Sequence, residues 1–530
     1  MFDDQLTATT ARARRQALGD LLRRSAARGP GRPALRFGDR SYTYAELDEV
    51  VDRTANALTA RGVARGDRVA LLSHNHDGYV VLTFALARLG AIAVPVNFML
   101  QAAEVAYVLG HCEATGVVAE AALLPVAREA VALSGREASV RVRGVLAGDG
   151  GPLPAGWEAC ETWAAHGDAT PPDVPVADDD VLQLMYTSGT ESRPKGVMMT
   201  SRSLVAQYVS CIVGGRYSAD DVALHALPLF HVAAQHCFLN PNLYLGGSNV
   251  VLPGPDPATV LATVERERVT SLFCPPTVWI GLLRSPEFDR RDLSSLAKGY
   301  YGASIMPVAV VEELRRRLPG MALFNFYGQT EMSALALVLS PEDQLRRPGS
   351  AGTAVLNSET RLVDDLGRPV GPGVEGEIVH RSPHATTGYW NDPEKTAEAF
   401  RNGWFHSGDL GVLDEDGYIT IVDRKKDVIK TGGENVASRE VEEVLYQHPA
   451  VAEVAVFGIP HPRWIEAVAA VVVPRDGQEA DPAELVAFCR ERLAGFKTPR
   501  HVVLADALPK NASGKILKRE LRDTYASLAG

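Results

Sequence analysis

Between Arg68 and Val96 the chain reads strand, helix, strand: the apolar run Arg68 to Leu72, a helical pattern through Tyr79 to Leu89, and the run Ile92 to Val96. Short apolar runs separated by a helix's length fit strands that pair in parallel and are covered by the helix between them. The rhythm returns twice. Asn249 to Leu252, Pro257 to Arg266 and Thr270 to Cys274 form one unit; Lys298 to Tyr301, Pro307 to Leu318 with proline at its start, and Leu323 to Tyr327 form another. There is no internal repeat of solenoid period. This pattern confines the chain to the α/β class, and 530 residues exceed what a single core usually holds. A large N-terminal multi-sheet α/β domain is expected.

Ahead of the first unit, Ala34-Leu-Arg-Phe and Ser41-Tyr-Thr-Tyr flank Gly38-Asp39 as a hairpin. Thr43, with Glu46 three residues on, starts a helix whose Leu47, Val50, Val51, Ala55 and Leu58 share one face. Ala11 to Arg28 reads as an amphipathic first helix without the apolar centre of a secretory signal. Residues 145–175, rich in Gly, Pro and Ala, read as a surface excursion. The longest apolar stretch, Val80 to Val96, is broken by Arg88 and Gly90, so no membrane span is expected. A net charge of −11 argues against a nucleic-acid partner. Six cysteines without metal-ligand spacing read as thiols in a reducing compartment. These features describe a soluble cytoplasmic protein.

The first chemical signal is Tyr186-Thr-Ser-Gly-Thr-Glu-Ser-Arg-Pro-Lys-Gly196, set between the apolar run Val181 to Tyr186 and a second run starting at Val197. A loop of hydroxyls, backbone N–H groups and a lysine between two strands suits a polyphosphate. It is not the G-x-x-x-x-G-K-[ST] loop, since no second glycine precedes Lys195. Taken alone, a nucleotide loop and an ordinary surface loop stay equally open.

Near residue 424 the character changes. Asp423-Arg-Lys-Lys-Asp427 is a charge run between the strand-like Tyr418 to Val422 and Val428 to Lys430. The tail then reads helix (438–447), strand (451–457), strand (467–473), helix (482–494) and strand (501–505), enough for a small α+β domain. A charged joint between a large and a small domain suits a hinge, although a solvated turn explains the run as well.

Further motifs follow the loop in order: Leu227-Pro-Leu-Phe-His231, Tyr301-Gly-Ala-Ser304, Asn325-Phe-Tyr-Gly-Gln-Thr-Glu331, Gly403-Trp-Phe-His-Ser-Gly-Asp409, Asp423-Arg424, Gly432-Gly433 and Pro509-Lys-Asn-Ala-Ser-Gly-Lys515. In this order and spacing the set resembles the adenylate-forming superfamily, which holds acyl-CoA synthetases, coumarate-CoA ligases, firefly luciferase and peptide-synthetase adenylation domains. The resemblance runs from Thr43 to Lys515.

That resemblance implies ATP-dependent activation of a carboxylic acid to acyl-AMP, then transfer to a thiol, with ATP, Mg²⁺ and CoA as cofactors. It places Thr187, Ser188, Gly189, Thr190 and Lys195 on the β- and γ-phosphates, Thr330 on the α-phosphate, and Glu331 on Mg²⁺. Tyr327 and Gly328 would face adenine on one side and Gly302, Ala303 and Ser304 on the other. Asp409, helped by Arg424, would take the ribose hydroxyls. Lys515 would bridge carboxylate and α-phosphate, two anions that must meet. The implied division is residues 1–423 for ATP and acid, a hinge at 424–426 centred on Lys426, and a mobile domain at 427–530. Its rotation would withdraw Lys515 and bring Gly432 and Gly433 to the CoA tunnel, where pantetheine must pass without meeting a Cβ.

Amino-acid-activating relatives carry an aspartate where this chain has His231, and Val232 to Asn240 holds no acid, so an unpaired substrate ammonium would be costly. The candidate acyl pocket, His231, Val232, Ala233, Tyr301, Met332 and Ala334, is mostly apolar and suits a fatty, aromatic or terpenoid acid. No carrier domain follows Gly530 in this sequence, so CoA is the expected acceptor. Loading of a separate carrier protein, an inactive acyl- or nucleotide-binding paralogue, and more distantly a luciferase-like oxygenase are the alternatives. A homodimer is compatible with all of these. One departure stands out: relatives read Thr-Gly where this chain has Glu191-Ser192. A carboxylate there is expected to weaken ATP engagement, with Glu191 turned towards Arg193 or solvent.

Overall fold

The computed structural model describes residues 4–148, 151–187, 193–304, 306–431, 434–475, 477–512 and 514–529. Glu191-Ser192, Ser188 to Thr190 and Gly432-Gly433 lie outside them.

The expected β-α-β units are present. Arg68–Leu72 and Ile92–Val96 pair in parallel across the helix Asp77–Leu89. Gly116–Glu120, Val142–Leu146 and the short Glu158–Ala159 extend that sheet on one side, and Val181–Thr187 and Lys195–Thr200 on the other, giving seven strands. A second sheet of thirteen strands has a parallel heart. Ser248–Val251, Val222–His225, Ser271–Phe273, Lys298–Gly302 and Ala322–Tyr327 run side by side there. Antiparallel strands continue it, among them Phe405–Leu413 and Ile419–Arg424.

Helix Asp77–Leu89 is buried along every face, because it belongs to a core shared with both large sheets. That is why its sequence is apolar all round. Its one interior cation, Arg88, is buried and paired with Asp48 and Asp52. Thr43 and Glu46 form the expected capping box for Tyr44–Ala60.

Two expectations need correction. The single N-terminal helix is two, Asp4–Arg14 and Leu18–Arg28, and the second buries Leu18, Leu21 and Leu22. Residues 145–175 are only partly a surface excursion. They carry the short helix Cys160–Ala164, whose Trp163 is fully buried against the seven-stranded sheet at Gly144. A Gly/Pro-rich composition hides a tryptophan anchor of this kind.

The chain leaves the thirteen-stranded sheet at Arg424 and enters a separate five-stranded sheet at Ile429–Thr431. In that sheet Val451–His461 and Ile465–Pro474 form a long antiparallel pair, with His501–Leu504 added in parallel. Both of its faces are covered: Val454 and Val456 look into one core, Ala455, Phe457 and Ile459 into another. This explains the near-continuous apolar run there. The fold is mixed α/β, a large multi-sheet body with a smaller α+β unit. No helix among the described residues is long and apolar enough to cross a membrane.

Candidate active site

Strand ends assemble the site. Val181–Thr187 and Lys195–Thr200 are antiparallel, and their register sets Thr187 opposite Lys195. The two ends of the connecting loop are therefore held together, as its two apolar flanks imply. A cleft of about 230 Å³ opens beside Lys195, with Arg193 and Lys395 in its walls.

The segment 386–390 ties this strand to Glu331. Met198 N–H donates to the Gly388 carbonyl (3.0 Å) and Trp390 N–H to that of Gly196 (2.8 Å), while Thr386 N–H reaches the Glu331 carbonyl (2.7 Å). Tyr389 completes the link. Its hydroxyl donates to Glu331 Oε1 at 2.9 Å, and Lys195 Nζ stands 5.2 Å from its ring centre. Burial, then the neighbouring carboxylate, holds the Tyr389 phenol far above its ordinary value, so it remains a donor. Tyr389 is not legible as a site residue in the sequence, because a Gly-Tyr-Trp run carries no signal of its own.

Thr330 and Glu331 lie on the short turn Thr330–Met332 that follows Ala322–Tyr327. The turn doubles back tightly: Ala334 N–H bonds the Gln329 carbonyl and Ala336 N–H that of Tyr327. A Cβ on Gly328 would fall 1.8 Å from the Ala334 carbonyl oxygen, so only glycine fits.

Asp409 is buried and sits opposite Arg424 in the strand register. Its Oδ2 accepts from the Tyr327 hydroxyl at 2.7 Å, and Arg424 Nε lies 3.4 Å from Oδ1. Tyr327, Asp409 and Arg424, far apart in sequence, thus form one polar group. Gly302 pairs with Phe326 on the adjacent parallel strand, which sets Gly302 and Ala303 beside them.

Lys515 belongs to this group. Its loop is closed by Asn511, whose Oδ1 accepts from Lys515 N–H and whose N–H donates to the Lys515 carbonyl, both at 2.9 Å. The loop is docked on the large domain through Thr277, whose hydroxyl donates to the Gly514 carbonyl (3.3 Å). The Lys515 ammonium is pushed down to about 7, first by burial and then by Arg424 and Lys426, with Asp409 and Asp427 opposing. His231 feels Lys515 as well; burial, then that charge, drives its imidazole down to about 4. Neutral His231 receives the Ala233 N–H on Nδ1 at 3.3 Å, which leaves its proton on Nε2. Lys426 lies between the two sheets, and burial lowers its ammonium too.

The acyl-pocket expectation divides. His231 and Ala233 line an apolar pocket together with Ala234, Phe273, Pro275 and Ala303. Tyr301 does not line it: its hydroxyl donates to Gln344 and its ring packs in the core on the other side of the sheet. Its neighbour Tyr300 faces the pocket-side core, since successive strand residues alternate faces. Met332 is fully buried with Ala336 and Phe405, and Val232 and Ala334 are core residues outside the lining. Ala234, in the same candidate stretch as His231 and Ala233, lines it as well; Phe273 was not among the expected residues, because the run Thr270 to Cys274 reads only as a strand.

Glu331 is a hard oxygen ligand with one carboxylate oxygen fixed by Tyr389. No group of three or more His, Cys, Asp or Glu side chains converges among the described residues. A magnesium ion in a phosphoryl site needs only one or two carboxylates beside substrate phosphates and water, so Glu331 fits that role.

Known proteins resemble this chain along most of its length. A model described as AMP-binding enzyme matches residues 22–390, and one described as AMP-binding enzyme C-terminal domain matches 440–515. The chain is 42% identical to a feruloyl-CoA synthase of an Amycolatopsis species, across 97% of this chain and 100% of that protein. It is 36% identical to an indoleacetate–CoA ligase of Aromatoleum aromaticum, across 96% of this chain and 98% of the relative. ATP-bound MatB from Rhodopseudomonas palustris superposes with a TM-score of 0.89 at 31% identity, covering 97% of this chain and 100% of the other. With the phosphate-loop strands and Glu331 inside one matched region and Lys515 closing the other, the chain belongs to the AMP-binding enzyme family.

Proposed function

We propose that the protein is an AMP-forming carboxylic acid–CoA ligase that uses ATP, Mg²⁺ and CoA, with a hydrophobic acid as substrate. The observation that carries this reading is Lys515 docked beside Asp409, Arg424 and His231 by the Thr277–Gly514 contact. In the first half-reaction a carboxylate oxygen attacks the α-phosphorus, and the bond to the bridging oxygen of pyrophosphate breaks. Thr187, Ser188, Gly189, Thr190 and Lys195 hold the departing β- and γ-phosphates. Thr330 donates to the α-phosphate, and Asp409 receives the ribose hydroxyls beside Tyr327. The Lys515 ammonium lies between the two reacting anions and offsets charge that neither can shed into a dry site. Glu331 would hold Mg²⁺, which when bound would neutralise charge on the phosphate oxygens.

In the second half-reaction the CoA sulfur attacks the acyl carbon and AMP leaves, while the thiol proton is lost to solvent or base. The docked Lys515 belongs to the first step. We assign the exchange between steps to rotation about Lys426, because the chain changes sheets between Arg424 and Ile429. Residues 1–423 and 427–530 are then the rotating bodies, and Gly432 and Gly433 the pair brought to the thiol. The six cysteines are all unpaired and buried, which supports a reducing, cytoplasmic setting. Light scattering decides between a monomer and the homodimer.

The deciding experiment is ATP–pyrophosphate exchange over a panel of carboxylic acids, followed by product analysis with CoA. Acid-dependent exchange and a CoA thioester are expected. Exchange without any thioester would leave adenylation standing and refute the ligase reading.

A further inference from the structure

Asp409 is not presented by regular strand pairing. The strand Glu375–Arg381 runs antiparallel to Phe405–Leu413, with Glu377 opposite Leu410 and Val379 opposite His406. Between those two pairs a single residue, Ile378, stands against three: Ser407, Gly408 and Asp409. A strand with extra residues bulges and turns its side chains out of the regular alternation, a device common beside active sites. Gly408 takes φ +72° there, a left-handed backbone that glycine adopts without strain.

Side chains hold the bulge as firmly as the sheet does. Ser407 Oγ donates to the Ile378 carbonyl at 2.6 Å and receives the Asp409 N–H at 3.0 Å. The Gly408 carbonyl accepts from Lys425 N–H at 2.9 Å, and the Gly408 N–H donates to Glu377 Oε1 at 3.2 Å. Glu377 is buried. Its other oxygen, Oε2, accepts from Arg401 at 2.9 Å, with His406 Nδ1 at 3.2 Å and Lys425 Nζ at 3.7 Å. A buried carboxylate needs such partners. Here they fix it by one oxygen and leave the other on Gly408.

We propose that Glu377 is a positioning residue for the nucleotide: by receiving the Gly408 N–H it fixes the bulge that presents Asp409 to the ribose hydroxyls. The inference rests on the ligase reading above, in which Asp409 takes those hydroxyls, and the ribose is present in both half-reactions. Asp409 already accepts from Tyr327 on one oxygen and has Arg424 beside the other. To take two further hydroxyls as well it must be held to within about 0.5 Å. Released from Glu377, the bulge is free to shift against Ile378 and carry Asp409 off that position. The competing role is charge balance alone, with Glu377 serving only to neutralise Arg401 and Lys425.

The test compares ATP with 2′-deoxy-ATP in acid-dependent pyrophosphate exchange, for the wild type, Glu377→Gln, Glu377→Ala and Arg401→Ala. In Glu377→Gln the amide oxygen stays with Arg401 and Lys425, so the amide NH₂ turns to Gly408 and the acceptor is lost without loss of volume. The wild type is expected to prefer ATP in kcat/KM by about 10- to 100-fold, the scale of one hydrogen bond to a charged group. In both Glu377 variants that preference should fall to about threefold or less, and the KM for ATP and for supplied acyl-AMP should rise about tenfold. The KM for the acid and for CoA should not move. Arg401→Ala keeps the Gly408 bond and should keep the preference, even where its thermal melt falls. A wild-type preference retained in a Glu377 variant whose melt shows it folded overturns the proposal. Its loss in Arg401→Ala does so too, because charge balance is then the role. A wild type indifferent to the 2′-hydroxyl removes the ribose grip and the proposal with it. If no acid in a panel supports exchange in the wild type, the ligase reading itself falls.

Discussion

Replacing Lys515 with alanine separates the two half-reactions. The ammonium stands in a loop that one hydrogen bond from Thr277 docks on the large domain, and it is surrounded by Asp409, Arg424, Lys426 and Asp427. Removing one preorganised charge from a developing-anion site costs about 100- to 1000-fold in rate, or ~3–4 kcal/mol of transition-state stabilisation. That loss is expected in acid-dependent ATP–pyrophosphate exchange. Conversion of supplied acyl-AMP and CoA to thioester should stay within about threefold of wild type, because the proposed rotation takes Lys515 away before the thiol attacks. The pH profile gives a second readout. The ammonium is the working form, and in the free enzyme it titrates near 7 rather than in the ordinary lysine range. Adenylation kcat/KM for ATP is therefore highest below about 7 and falls as pH rises through that value. ATP, once bound, draws the titration upward, so the limb should move alkaline in kcat. Lys515→Arg should abolish the limb, since a guanidinium does not titrate there. Equal loss of both half-reactions in Lys515→Ala, or an unchanged alkaline limb in Lys515→Arg, would refute the reasoning.

Further perturbations probe the surroundings. Tyr389→Phe removes the hydroxyl that fixes Glu331 and should raise the Mg²⁺ concentration for half-maximal rate several-fold with little change in the KM for the acid; an unchanged Mg²⁺ titration counts against the link. Gly514 has φ +81° and a Cβ there would meet Thr277 Oγ1 at 2.7 Å, so Gly514→Ala should slow pyrophosphate exchange and spare thioester formation from acyl-AMP, as stopped-flow of each step would show. Arg88→Met leaves Asp48 and Asp52 without their shared cation, and a loss of about 3–5 kcal/mol is expected in denaturant unfolding. Glu191→Thr removes the carboxylate from the loop before Lys195 and should lower the KM for ATP; an unchanged KM removes the idea that this carboxylate weakens ATP engagement.

The β-α-β runs were legible because they are set by local periodicity and by caps such as Thr43 with Glu46. The excursion at 145–175 was misread because Trp163 is anchored by a distant sheet, not by its neighbours in sequence. Tyr389 was invisible for the same reason: its partners Glu331 and Lys195 are remote in the chain and reach it only through strand pairing. Tyr301 was named for the pocket, yet it packs on the other side of the sheet and Tyr300 faces the pocket-side core, because a one-residue step along a strand exchanges the two faces.

By itself, the sequence determined the α/β class and the change of character at residue 424, and it named the candidate groups of the site. Those depend on residue types in order, which is all that motif and periodicity can carry. The tertiary structure alone decided which faces those groups present: the Tyr327–Asp409–Arg424 group around Lys515, the neutral His231, and the strand bulge that carries Asp409. Burial, charge and packing act through space, between segments whose spacing along the chain says nothing about their separation in the fold.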